Sequence, residues 1–123
     1  MDKCNIIYTL PTNEYISENI KVNYGIEADK IRLYKNGGGL AYILEYNNQK
    51  FFFKVYPSYW MNNEIHGDAF KALQSFEIMD YLYQNNVPVI KILRTTNDSL
   101  YTTIPMIEGK SVGALFEFVE CED

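Results

Sequence analysis

With 123 residues, 47% hydrophobic and 15% aromatic, including 11 Tyr and 7 Phe, the chain can build one domain with a real core, which excludes a disordered tail. A net charge of −5 with no Lys/Arg cluster argues against a nucleic-acid-binding surface, so any phosphate must be held locally. No run of about 18 apolar residues and no basic stretch leading into an apolar one occurs, so no membrane span or export signal is read and the expected location is cytoplasmic.

In chain order, Ile6-Ile7-Tyr8 is an apolar run whose periodicity fits a leading strand or an ordered arm. Pro11-Thr12-Asn13-Glu14 reads as a helix start, with Thr or Asn as the cap and Glu14 against the positive helix end. Tyr15, Ile16, Ile20 and Tyr24 then fall near helical spacing, and Gly25 can take the left-handed conformation that ends the helix.

Three strand-like runs follow, Lys30 to Lys35, Leu40 to Tyr46 and Lys50 to Tyr56. They are joined by Asn36-Gly37-Gly38-Gly39 and Asn47-Asn48-Gln49, residues that tolerate positive φ, so the strands must be antiparallel. A triple glycine is what a hairpin turn needs in any case, and it also leaves bare N–H groups able to approach a phosphate closely.

From Trp60 the pattern becomes helical. Gly67-Asp68 reads as a cap, and Ala72, Phe76, Met79 and Tyr83 repeat at i, i+4, i+7 and i+11 as one apolar stripe with Glu77 beside it. Asn85-Asn86 and Pro88 end this helix. Val89 to Leu93 is extended, Thr95 to Asp98 turns, Leu100 to Ile107 is a strand, and Glu108-Gly109-Lys110 closes a hairpin into Val112 to Val119. The expected fold is α+β: a five-stranded, mostly antiparallel sheet with one long helix and a short N-terminal one.

The chemistry concentrates in Phe51-Phe52-Phe53-Lys54-Val55-Tyr56. Alternation puts Phe51, Phe53 and Val55 on one face and Phe52, Lys54 and Tyr56 on the other, so Lys54 is expected to be partly desolvated among aromatics. A lysine there either guards a sheet edge against unwanted pairing or holds an anion, a carboxylate or a phosphate. Cys4 and Cys121 lie near opposite ends, without a Cys-x-x-Cys pair and with one histidine in total, so no metal-ligand set is apparent.

The order of elements, with Phe52-Phe53-Lys54, the helix segment Glu77 to Leu82 followed by Val87-Pro88-Val89, and Leu115-Phe116-Glu117-Phe118-Val119-Glu120, resembles the N-terminal lobe of the aminoglycoside phosphotransferase, choline kinase and homoserine kinase group. The likeness runs from about Tyr24 to the last residue. It implies a single kinase-like N-terminal lobe: an arm and helix over residues 1–29, the sheet and glutamate helix over 30–119, and the start of a hinge at 120–123.

The resemblance further implies that Lys54 holds the α- and β-phosphates of ATP, with Glu77 as its carboxylate partner. Phe52 would cover the adenine, and Gly37, Gly38 and Gly39 would correspond to the phosphate-covering loop, though without the Gly-x-Gly-x-x-Gly spacing. Phe116 would guard the back of the pocket, while the carbonyl of Glu117 and the N–H of Val119 would meet the adenine edge. The cofactor implied is ATP with Mg, the metal ligands and the catalytic aspartate belonging to a C-terminal lobe not present here. A small-molecule phosphate acceptor is expected only with that lobe.

His66-Gly67-Asp68 imitates the catalytic His-Gly-Asp loop of that group. It precedes the glutamate helix and has Leu73 where the loop's asparagine would be, so it is read as a helix cap. The second reading is a stand-alone, non-catalytic lobe acting through a protein partner or as a homo-oligomer, with the aromatic surface around Phe52, Tyr56 and Phe116 to Phe118 buried in the contact.

Overall fold

The structure, a computed structural model, describes residues 11–36, 40–56, 59–61, 64–66, 68–106 and 109–118. Helix α1 spans Asn13–Tyr24 and is followed by β1 (Lys30–Asn36), β2 (Leu40–Tyr46) and β3 (Gln49–Tyr56). A small hairpin, β4 (Tyr59–Met61) and β5 (Glu64–His66), leads into α2 (Asp68–Gln84), and the chain finishes with β6 (Thr102–Met106) and β7 (Gly109–Glu117). Five strands form one antiparallel sheet in the order β1-β2-β3-β7-β6, as expected for the α+β fold.

The helix signals act where their chemistry predicts. Thr12 caps α1, its hydroxyl accepting from the Tyr15 N–H at 3.1 Å, and Gly25 closes it at φ 71° with its N–H donating to the Lys21 carbonyl. Asn86 adopts φ 64° after α2, and the Val87 N–H reaches back to the Leu82 carbonyl at 2.9 Å. Between β2 and β3, Asn47 and Asn48 both take positive φ, which suits the twist of a two-residue hairpin turn.

Each face of the sheet carries its own helix. On one face Ile16, Ile20 and Tyr24 of α1 pack with Tyr42, Leu44, Phe51, Phe53, Val55, Ile104 and Leu115, all buried. Burying a large apolar side chain contributes roughly 1.5–3 kcal/mol, so this layer carries most of the fold's stability. Gly113 makes it possible: a Cβ there would stand 2.4 Å from the Phe53 ring and 2.8 Å from the Ile104 side chain.

On the other face, Ala72 and Phe76 of α2 pack with Ile92, Val112, Ala114 and Phe116. Phe76 is wedged between Tyr56 and Phe116, edge-on to both, with ring centroids 5.5 and 6.2 Å away.

Three expectations change. Residues 59–61 and 64–66 are not helical: Tyr59 pairs with His66, Trp60 with Ile65 and Met61 with Glu64. Tyr59, Trp60 and Ile65 are aromatic and β-branched residues that favour strands, and this outweighs the helical spacing. The apolar stripe of α2 holds at Ala72, Phe76 and Met79 but leaves the sheet at Tyr83, which is exposed and has the Lys91 ammonium 5.5 Å from its ring centroid. The strand expected over Leu100 to Ile107 is shorter, while Leu93 N–H donates to the Leu115 carbonyl and Glu117 N–H to the Lys91 carbonyl, extending the sheet beside the end of β7.

The first ten residues, the glycines at 37–39, Gly67 and residues 119–123 lie outside the described residues, and with them the readings made of Ile6 to Tyr8, the glycine loop, the helix cap at Gly67 and the hinge. Helix α2 begins at Asp68, the last residue of the His-Gly-Asp imitation.

Candidate functional site

Lys54 stands in the central strand of the sheet, with β2 on one side and β7 on the other, so it is not an edge guard. Its cross-strand neighbours are Ala41 and Ala114, the smallest side chains with a Cβ. The rows on either side are larger: Ile43, Phe52 and Phe116 in one, Tyr56 and Val112 in the other. A cation is thereby set in a trough whose floor is alanine.

Beside this trough, Phe52, Lys54, Tyr56, Met79, Ile90, Phe116 and Glu117 line a cavity of about 290 Å³. That is close to the lower end of the roughly 300–1,000 Å³ typical of small-molecule sites, and its lining of apolar walls with a few polar groups is of the same kind. The Lys54 ammonium lies 5.6 Å from the centroid of the Tyr56 ring. Contrary to the expected partial desolvation, the Lys54 side chain is exposed: the aromatics flank it without covering it, and its charge remains open to a soluble anion. Burial pushes the Tyr56 phenol up to about 12, so near neutral pH it is an uncharged donor.

Of the residues singled out from sequence, the fold thus brings Lys54, Phe52, Phe116 and Glu117 to one cavity. Glu77 is not among them. It lines a second, larger cavity of about 660 Å³ on the opposite flank of α2, with Asp80, Arg94 and Tyr101. There Arg94 meets the Asp80 carboxylate at 2.6 Å and donates to the Asp98 carbonyl at 3.0 Å, tying the 94–98 turn to the helix.

Successive helix residues are about 100° apart, so Met79, which faces the Lys54 cavity, and Glu77 point to nearly opposite sides. Phe76, seated between Tyr56 and Phe116, fixes that rotation. Among the described residues no ion pair joins Lys54 to Glu77, and the pairing implied by the resemblance is not made in this structure. Gly37, Gly38, Gly39 and Val119 lie outside the described residues.

Tyr34 was not anticipated, and Phe118 was named only as part of an aromatic surface with Phe52 and Tyr56. Strand β1 shifts register between Leu33 and Lys35, and this bulge leaves Tyr34 edge-on to Phe52 at 5.4 Å. Phe118 stacks on Phe52 at 5.7 Å and 14°. The signal for Phe118 was present, since residues 112, 114, 116 and 118 share a face by alternation, but which ring would lie on which required the pairing of β3 with β7.

No protein-family model matches this sequence, and no curated protein does. Among solved structures, a spectinomycin phosphotransferase crystallised in complex with ADP and spectinomycin aligns at a TM-score of 0.62 and 17% identity, over 89% of this chain and 30% of that one. The chain shares the fold of that aligned part. Its length is therefore about a third of the phosphotransferase it matches, and the part shared is the α+β sheet with its helices. Among the described residues no three His, Cys, Asp or Glu are grouped to hold a metal ion, and no helix is long and apolar enough to cross a membrane.

Proposed function

We propose that this chain is the ATP-binding lobe of a small-molecule phosphotransferase, with Lys54 as the residue that holds the nucleotide's phosphates. The observation that carries this reading is the position of Lys54: an exposed cation on the central strand, between two alanines and at the mouth of an apolar cavity. Aromatic rings flank the place where a flat base can lie, and the small side chains leave room for the phosphates beside the ammonium. The phosphotransferase of the same fold holds ADP in its structure, which supports a nucleotide as the ligand.

Phosphoryl transfer depends chiefly on positioning and charge stabilisation, and a lysine contributes to both by neutralising phosphate oxygens. Phe52 and Phe116 supply apolar surface for the base, and Glu117 lies where the strand ends against it. In this scheme the magnesium that accompanies ATP is held from outside the lobe, whose own contribution is binding and orientation of the nucleotide. Glu77 acts in this scheme only if α2 turns, because its carboxylate now lies on the Arg94 side.

The test is calorimetric titration of ATP into wild type, Lys54→Ala and Glu77→Ala. Loss of a charge-assisted contact is worth about 1.5–3 kcal/mol, so Lys54→Ala is expected to weaken ATP roughly 10- to 100-fold, and Glu77→Ala much less. Equal affinity of wild type and Lys54→Ala overturns the assignment.

The stand-alone module makes a different demand, an uncovered aromatic face. Phe116 is buried, and Phe52 and Phe118 cover each other. Sedimentation that shows a concentration-dependent dimer dispersed by Phe52→Ala would nevertheless favour it.

A further inference from the structure

We infer that Phe118 is a specificity-determining residue that occupies the base position of the nucleotide site, so that a nucleobase binds by taking its place on Phe52. This rests on the proposed nucleotide reading and goes beyond it. Three observations carry it.

The first is the geometry of the rings. Phe118 lies nearly parallel to Phe52, 14° apart with centroids 5.7 Å away, the offset-stacked arrangement a purine would itself adopt on that ring. Tyr34, held by the β1 bulge, closes another side of Phe52 edge-on at 5.4 Å. One face of the Phe52 ring is thus already covered from within the chain, while another part of it lines the Lys54 cavity.

The second is placement. Phe118 follows the last residue of β7, so its ring is carried on the end of a strand and not by its middle. Its N–H still donates to the Lys50 carbonyl at 3.2 Å, which holds the backbone, and its ring lies 5.8 Å from the Lys50 ammonium, so a χ1 rotation off Phe52 also gives up that cation contact. Phe118 is half-buried, whereas Phe116, two residues earlier on the same face, is buried against Phe76 and cannot serve as a movable ring.

The third is the separation of the two halves of the ligand. Phe52 and Lys54 are adjacent positions on one face of β3 and both line the cavity, which Phe118 does not, so the phosphates can reach Lys54 without disturbing Phe118, whereas a base that stacks on the face of Phe52 covered by Phe118 must displace that ring. Phe118 therefore opposes the base and leaves the phosphates untouched. Removing it should favour ATP and be silent toward a phosphate chain that carries no base.

The experiment compares wild type, Phe118→Ala and Phe118→Leu, titrated with ATP and with inorganic tripolyphosphate. A stacked aromatic pair is worth about 0.5–1.5 kcal/mol beyond its buried area, so Phe118→Ala should tighten ATP about 2- to 12-fold and leave tripolyphosphate unchanged. Phe118→Leu keeps apolar bulk without a flat ring and guards against a variant that fails to fold; it should tighten ATP in the same direction. In wild type, NMR should show cross-peaks between Phe52 and Phe118 ring protons replaced, on adding ATP, by cross-peaks from Phe52 to the adenine protons.

Tripolyphosphate binding with ATP affinity unchanged or weakened in both variants overturns the role of Phe118 and leaves the nucleotide reading standing. Wild type that binds neither ligand overturns both.

Discussion

The two faces of β3 differ sharply in what they pack against. Toward α1, Phe51, Phe53 and Val55 are 7%, 0% and 1% exposed and sit in one continuous core, while toward α2 their neighbours Phe52, Lys54 and Tyr56 are half-buried or exposed around a cavity. One strand thus serves as foundation on one side and as a candidate binding surface on the other. A residue's contribution to stability and its contribution to binding should then separate with the parity of its position, and each of the following substitutions can break that separation.

The largest effect belongs to the sealed face. Phe53→Ala empties a ring that is fully buried against Tyr24, Ile104 and Leu115, and should cost about 3–5 kcal/mol in urea denaturation. A loss below about 1 kcal/mol would show that the α1 face is not the stabilising one. Gly113→Ala comes next: its methyl group would overlap the Phe53 and Ile104 side chains, a cost of roughly 1–3 kcal/mol, read as a lowered melting temperature.

On the open face the same measurements should barely move. Lys54→Ala is expected to change stability by less than about 0.5 kcal/mol, as for an exposed side chain, while weakening ATP as described above. If it unfolds the protein instead, the division between the two faces fails.

The smallest effect is in alkali. Burial raises the folded-state pKa of Tyr56 to about 12, above its ordinary 10, so its contribution to stability is complete below pH 10 and is lost as pH rises through about 12. Tyr24 and Tyr42 are raised in the same direction by burial on the α1 face. Tyr56→Phe should therefore flatten, without abolishing, the decline in stability between pH 10 and 12, measured by denaturation at fixed pH values.

How much was legible follows from the range of each signal. The caps at Thr12, Gly25 and Asn86 act within one turn of their helices, and each is where the residue type placed it. Alternation along residues 51–56 is a property of any strand, and it sorted Phe52, Lys54 and Tyr56 from Phe51, Phe53 and Val55 correctly. Residues 59–61 and 64–66 fit both periods because short apolar stretches do, and the preference of their aromatic and β-branched residues for strands becomes decisive once Trp60 pairs with Ile65. Glu77 was expected at Lys54 only because the resemblance implied it, and nothing local in the sequence says which way that helix is turned.

By itself, then, the sequence determined α1, the strands β1 to β3, the caps at Thr12, Gly25 and Asn86, and which side chains of β3 share a face, because those follow from contacts between residues near in the chain, but not the β4–β5 pair. Tertiary structure alone decided that β3 lies in the middle of the sheet, that Ala41 and Ala114 flank Lys54, and that Phe118 rests on Phe52. It also decided the rotation of α2, since the lock of Phe76 between Tyr56 and Phe116 joins residues far apart in sequence and leaves Met79 facing the lysine's cavity and Glu77 facing away. Such a lock depends on the shape that two strands and a helix make together, a shape that exists only once they have packed.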